Sequence, residues 1–232
     1  MPHVMKYIII GLGNFGSSLA MKLTQQGNEV IGVDNSMTRV ESLKDRISYT
    51  ICMDATDAYT MTGLPIKESD IVIVAIGEDQ GANIMATAIL KNQNVKRLIS
   101  RAINPMHENV LRAMGITEIV NPEVETAERW AKKLCLRGVV DSFELNGEYS
   151  IVEARVPPSF FGKSLEEIGF RRNMNLVVLT TIRYEEKEIS AGFINKVTNV
   201  QGVASPQTVL QEGDIMVIYG SNKDIQKLLK TN

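Results

Sequence analysis

The 232-residue sequence predicts an α/β chain in which a doubly wound parallel sheet is followed by a small α+β domain. Three observations carry this. Short apolar runs alternate with helical patterns from residue 4 to about residue 120. The first run opens directly onto G-x-G-x-x-G, and the second ends on Asp34. After Gly138 the alternation stops, and β-branched segments are punctuated by Asn146-Gly147 and Glu212-Gly213-Asp214.

Residues 4–10 form the first strand, because Val4, Tyr7, Ile8, Ile9 and Ile10 make a nearly continuous apolar run. Gly11, Gly13 and Gly16 follow, and Leu19, Ala20 and Leu23 set the helical pattern of a segment that begins near Asn14. The glycines have separate tasks: a tight turn, close backbone approach to a phosphate, and close helix–strand contact. The new helix presents unpaired N–H groups and a partial positive charge to that phosphate. The second strand, residues 29–33, delivers Asp34, whose carboxylate can accept hydrogen bonds from ribose hydroxyls. The same carboxylate repels a ribose 2′-phosphate, which argues against NADP. Arg39, the nearest cation, reads as a solvated residue of the next helix.

Further strands are expected over residues 49–52, 71–76, 97–100 and 118–120, with helices beginning near Met37, Asp57, Asp79 and Pro105. Right-handed crossovers place every strand's C-terminal end along one sheet edge. That edge gathers residues 11–16, Asp34, Asp54, Ile76, Gly77, Arg101 and, more loosely, Glu123. The result is a Rossmann-like crevice for a ligand with an adenosine and an unphosphorylated ribose.

Residues 123–136 form an amphipathic helix with Val124, Ala127, Ala131 and Leu134 on one face and Trp130 beside them. This face either packs on the protein's own sheet or meets a partner subunit; its place after a complete six-strand unit favours the partner. The first domain is expected over residues 1–137, a linker over 138–147 and the second domain over 148–232. Beyond Gly138, residues 143–155, 176–183 and 215–219 are strand-like, and short helices fit around 164–168 and 222–229. Ser164 and Glu167 have the spacing of a capping box.

A formal charge of −2 gives no global attraction to nucleic acid or anionic membrane. No apolar run approaches the ~20 residues needed to span a bilayer, and the N-terminus lacks a signal-peptide core, so a soluble, cytoplasmic protein is expected. Two cysteines make no disulfide scaffold and two histidines no convincing zinc site. His107-Glu108 opens like H-E-x-x-H but Leu111 ends the likeness, and Gly162-Lys163-Ser164 lacks the first glycine of a Walker A loop.

At this point the residues resemble a known family, the cytosolic RCK (regulator of potassium conductance) subunits of Trk/Ktr-type potassium uptake systems. The N-terminal half is similar in G-L-G-N-F-G, Asp34, Met53-Asp54-Ala55-Thr56, Ala75-Ile76-Gly77-Glu78 with Asn83, and Asn121-Pro122-Glu123. The C-terminal half is similar in P-P-S-F-F-G-K-S-L-E-E-I and L-Q-E-G-D-I-M-V-I-Y-G. The resemblance implies an RCK-N domain followed by RCK-C, with residues 123–136 as a crossover helix that intertwines two subunits. It implies a homodimer that assembles to a tetramer or octameric ring beneath a potassium-translocating membrane subunit, at the inner face of the cell membrane. Adenine nucleotide, either NAD(H), ATP/ADP or AMP, is then expected to reshape the ring. Asp34 takes the ribose, with Asn35 beside it; Asp54, Ala55 and Thr56 lie by the adenine. Ile76, Gly77, Glu78 and Asn83 line the pocket, and Gly11, Gly13, Asn14, Phe15 and Gly16 form the phosphate loop. Arg101 reaches phosphate, and Glu123 sits near the terminal phosphate or its cation, with no other metal ligand expected.

One departure matters. ATP-responsive members usually carry arginine where this sequence has Asn14, so strong preference for ATP over ADP is not expected. Some members bind cyclic di-AMP in the second module; Arg171 and Asn175 resemble the polar residues used there, but the segment between them is two residues shorter than in those members.

The rival class is an NAD-dependent oxidoreductase, which needs an acid–base group at the substrate carbon. Tyr-x-x-x-Lys is absent from residues 1–137, which carry the crevice, and His3 and His107 have no evident path to it. A transcription factor needs a basic recognition helix, which the chain does not clearly offer. A sensor needs only unequal ligand affinity for two assembly states.

Overall fold

The computed structural model describes residues 4–135, 138–190 and 193–230. The chain divides into two units, Met1–Val124 and Glu125–Asn232. In the first, strands and helices alternate in the order β1 (Lys6–Ile10), α1 (Asn14–Gln25), β2 (Glu29–Asp34), α2 (Met37–Leu43), β3 (Tyr49–Cys52) and α3 (Ala58–Met61). They continue as β4 (Ile71–Val74), α4 (Gln80–Asn92), β5 (Leu98–Arg101), α5 (Pro105–Ala113) and β6 (Glu118–Val120).

The six strands are parallel in the order β3-β2-β1-β4-β5-β6, as the doubly wound reading expects. The unbroken apolar runs have a physical cause: helices cover both faces of the sheet. Ile8 and Ile10 pack with Val33, Val72, Val74, Ala86 and Leu90 on one face. Ile9 packs with Val30, Ile71, Ile73, Ala20 and Val40 on the other. Burying each such Ile, Val or Leu side chain contributes about 1.5–3 kcal/mol. The strand order reverses between β2-β1 and β4, so the crevice at their C-terminal ends is the topological switch point.

Helix α6 (Pro122–Cys135) crosses the boundary between the two units. Val124, Trp130 and Leu134 are 47%, 52% and 78% exposed, and no described α6 side chain is buried. Among the described residues the apolar face is left exposed.

The second unit holds an antiparallel five-stranded sheet in the order β10-β9-β11-β8-β7. Its strands are β7 (Val139–Glu144), β8 (Tyr149–Arg155), β9 (Val177–Ser190), β10 (Phe193–Val200) and β11 (Ile215–Ser221). Helices α7 (Leu165–Ile168), α8 (Phe170–Met174) and α9 (Asn222–Lys230) complete it. Val152, Ala154, Met216, Ile218, Leu176 and Val178 pack with Ile225 and Leu228 of α9 in the core. The Ser164/Glu167 capping box forms as the spacing expects.

The expected linker over residues 138–147 is corrected. Val139–Glu144 pairs with β8, and the Asn146 carboxamide oxygen accepts the N–H groups of Glu148 and Tyr149 to close the hairpin. Val139 is buried in the second core, so this segment is sheet and not spacer. β10 was not anticipated from the sequence.

Candidate functional site

The glycine loop joins β1 to α1 under severe steric limits. Gly11 has φ +96°, and a β-carbon on it would lie 2.7 Å from the Ile76 backbone nitrogen. A β-carbon on Gly16 would lie 1.8 Å from the Gly11 carbonyl oxygen, so α1 can approach the strand only through glycine. Gly13, by contrast, has nothing within 4 Å of that position. Its face is open, as backbone approach by a phosphate requires. Asn14 begins α1 and is exposed, while Phe15 is half-buried.

Asp34 closes β2 and is 6% exposed. Its Oδ2 accepts the Leu12 N–H at 2.7 Å and its Oδ1 accepts the Ser36 N–H at 2.8 Å. The carboxylate thus ties the glycine loop to the end of β2. A carboxylate has about four lone-pair sites, which leaves acceptor capacity for ribose hydroxyls. Asn35, next along, is exposed and its carbonyl accepts the Cys52 thiol at 3.6 Å.

At the end of β3, Asp54 Oδ1 accepts the Thr56 N–H at 2.9 Å and its hydroxyl at 2.7 Å. These bonds, the backbone one foremost, hold the Asp54 carboxyl below the ordinary carboxylate range. The turn leaves Ala55 buried and Asp54 facing solvent.

Beyond β4, Ile76 and Gly77 are half-buried and Glu78 is exposed. Asn83, expected in the pocket lining, is instead fully buried. Its Nδ2 donates to the Ile76 and Arg101 carbonyls at 2.9 and 3.1 Å, and its Oδ1 accepts the Ser100 hydroxyl at 3.1 Å. Its amide is committed to the protein, so Asn83 positions the ends of β4 and β5 and does not face a ligand.

Arg101 ends β5, and its guanidinium lies 5.7 Å from the Phe15 ring centroid. Nη2 donates to Glu123, in the first turn of α6. Nε is buried with no hydrogen-bond partner, and Nη1 reaches the Ala75 carbonyl only at 3.5 Å. The cation is therefore held in place but incompletely satisfied.

The sequence reading missed Arg39. Although partly solvent-exposed, it is paired: its Nη2 donates to both Glu78 oxygens at 2.7 and 2.9 Å, and Nη1 lies 3.6 Å from Asp34 Oδ2. Glu78 is the first cause of the raised Arg39 pKa. The available signal was position: Arg39 lies in the first turn of α2, directly after the strand that carries Asp34.

The structure joins the glycine loop to Asp34 and Arg101 to Glu123, sets Asp54 and Ile76-Gly77 just beyond the C-terminal ends of β3 and β4 of the same parallel sheet, and buries Asn83 beneath β4 and β5. None of the assembled side chains is His, Lys or Tyr. His107 lies on α5, 2% exposed, with neither ring nitrogen bonded. Among the described residues no cluster of three or more His, Cys, Asp or Glu could hold a metal ion. No helix among them is long and apolar enough to cross a membrane.

The TrkA-N domain family matches residues 7–122. Ktr system potassium uptake protein C of Bacillus subtilis (strain 168) is 31% identical over 225 residues, covering 97% of this chain and 96% of its own. Ktr system potassium uptake protein A of the same organism is 28% identical over 222 residues, covering 96% and 94%. Among solved structures, the GsuK RCK domain superposes with a TM-score of 0.63 at 18% identity, covering 98% of this chain and 48% of that one. The GsuK channel bound to NAD gives 0.63 at 18% identity and covers 98% and 40%. This chain spans less than half of those two chains, and at that identity the likeness concerns the fold. The glycine loop and Asp34 fall inside the matched domain, and the Ktr relatives align over nearly the whole length. The chain belongs to the TrkA-N, or RCK, family of Ktr and Trk potassium uptake proteins.

Proposed function

We propose that the protein is a nucleotide-sensing regulatory subunit of a potassium uptake system, and not an enzyme. The observation that carries this is the crevice itself. A sterically enforced glycine loop is tied by Leu12 to a buried Asp34, with the incompletely satisfied Arg101 on the far side. Asp34 receives the ribose, the glycine loop and Arg101 the phosphates, and Ala55 and Ile76 flank the base. The ligand is an adenine nucleotide: NAD(H), ATP/ADP or AMP. NAD in the GsuK channel and the potassium-uptake names of the Ktr relatives support this reading.

The exposed stripe of α6 supports assembly into a homodimer, and from there into a tetramer or octameric ring. The ring acts on a potassium-translocating membrane subunit at the cytoplasmic face of the membrane. Moving a two-state balance from 1:99 to 99:1 takes about 5.5 kcal/mol. Shared over eight sites, that is roughly 0.7 kcal/mol each, within the net worth of one hydrogen bond.

In the second unit a cavity of about 380 Å³ is lined by Asn175, Arg172, Lys227 and Phe160 among others. It is the place to seek cyclic di-AMP: Arg172 and Lys227 line it, with Lys227 paired to Asp224 of the same lining at 2.8 Å. Arg171, expected there, lies outside the lining, and Asn175 shares a 3.5 Å bond with Asp224.

The test is to extract and identify by mass spectrometry any nucleotide that co-purifies, then to titrate Asp34→Ala by calorimetry. Loss of adenine-nucleotide binding in the folded variant supports the site; unchanged affinity rejects it. Steady turnover of NADH with carbonyl compounds would instead favour the NAD-dependent oxidoreductase.

A further inference from the structure

Arg39 connects two carboxylates across the switch point. It rises from α2, after β2, and reaches Glu78, after β4; β1 and its glycine loop lie between those strands. We propose that Glu78 and Arg39 make the site reject 2′-phosphorylated adenosine nucleotides: Glu78 occupies the Arg39 guanidinium beside Asp34, which would otherwise receive a 2′-phosphate. The inference rests on the adenine-nucleotide reading above and adds a ligand specificity to it.

The charges decide the direction. Asp34 and Glu78 set two negative charges against one guanidinium, so this end of the crevice stays net negative. A phosphate monoester brings about 1.5–2 further negative charges at neutral pH. To be accepted it must take Arg39 from Glu78, which already engages Nη2 with both oxygens. It must also lie next to the Asp34 carboxylate. An unphosphorylated ribose meets neither obstacle, because its hydroxyls donate to the lone pairs Asp34 has left. Once the Glu78 charge is removed, Arg39 is an arginine just beyond the second strand, the arrangement that accommodates a 2′-phosphate in related crevices. The pair is solvent-exposed, with Arg39 39% and Glu78 75% accessible at the side chain. Its loss therefore costs little stability and the variants stay folded.

Calorimetry on the purified full chain tests this with two ligand pairs: NAD against NADP, and AMP against adenosine 2′,5′-bisphosphate. In Glu78→Gln the dissociation-constant ratio of the 2′-phosphorylated to the plain ligand falls by about tenfold or more. In the double variant Arg39→Ala/Glu78→Gln that gain is lost. An unchanged ratio in Glu78→Gln, or a gain that survives in the double variant, overturns the inference and leaves the nucleotide site standing. Failure of the unaltered protein to bind either plain ligand overturns both.

Discussion

The Arg101 guanidinium rests directly over Gly77: a β-carbon on Gly77 would lie 2.3 Å from Nη1 and 2.5 Å from Cζ. The same group pairs with Glu123 and faces the Phe15 ring. One cation thus touches the turn after β4, the start of α1 and the first turn of α6. On the proposed function, a phosphate bound at the glycine loop would compete with Glu123 for it, and that competition would link the crevice to the first turn of α6.

Gly77→Ala should uncouple binding from folding. The obstructing atoms are the far end of a flexible side chain, so Arg101 moves aside and the fold persists. The displaced guanidinium then loses its charge-assisted bond to phosphate, worth about 1.5–3 kcal/mol. Affinity for ADP should fall by roughly ten- to a hundredfold while the melting temperature shifts little. Calorimetry and thermal unfolding on one preparation check both parts, and full retention of ADP affinity rejects the role given to Arg101.

Asn14 supplies no cation for a terminal phosphate, so strong preference for ATP over ADP is not expected. It is exposed at the start of α1 and offers neutral hydrogen bonds only. ATP and ADP should bind within about tenfold of each other, a 1.4 kcal/mol window. Asn14→Arg should raise the preference for ATP, because a guanidinium engages a phosphate through charge-assisted bonds. Competition titrations of the two nucleotides measure the ratio; a much larger gap in the unaltered protein contradicts the argument.

His107 should make the protein acid-sensitive. Burial pushes its imidazole below the ordinary 6.5. Above that value neither the folded nor the unfolded chain holds the proton, and His107 adds no pH dependence. As pH falls through 6.5, the unfolded chain is protonated first, so stability drops with a slope of up to about 1.4 kcal/mol per pH unit. His107→Leu removes two unpaired buried nitrogens and should flatten this slope. Urea midpoints measured at about pH 7.5 and about pH 5 compare the two proteins. Equal slopes would show that other groups carry the acid response.

Much of the first unit was legible because local chemistry and global topology agree there. A buried parallel strand requires an apolar run, and only glycine fits at Gly11 and Gly16. Asp34 was legible because a carboxylate ending the second strand has few other uses. Side-chain destinations were less so. Nothing local to Asn83 shows that β5 will bring Ser100 and the Arg101 carbonyl to it. Arg39 and Glu78 stand 39 residues apart and meet only because β1 inserts between β2 and β4. The second unit was read least well at β7. Its pattern V-V-D-S-F-E mixes faces, and only pairing with β8 determines that Val139 turns inward.

The α6 stripe gives the prediction with the widest reach. Val124, Trp130 and Leu134 are each at least 47% exposed in the single chain. A helix this apolar along one face is stabilised by burying it, and among the described residues this face is left exposed. Replacing an exposed residue usually changes stability by no more than about 0.5 kcal/mol. Trp130→Glu with Leu134→Glu should therefore leave the circular dichroism spectrum of the subunit largely intact. In a subunit interface, however, the two new carboxylates would be desolvated without partners, at a cost of several kcal/mol. Sedimentation should then show the unaltered protein as a dimer or larger and the double variant as a monomer. Nucleotide should still bind the monomer through Asp34, yet no longer alter its sedimentation. Retention of the full assembly in the double variant would mean that the subunits meet through another surface, and that the path from Arg101 through Glu123 ends short of the ring.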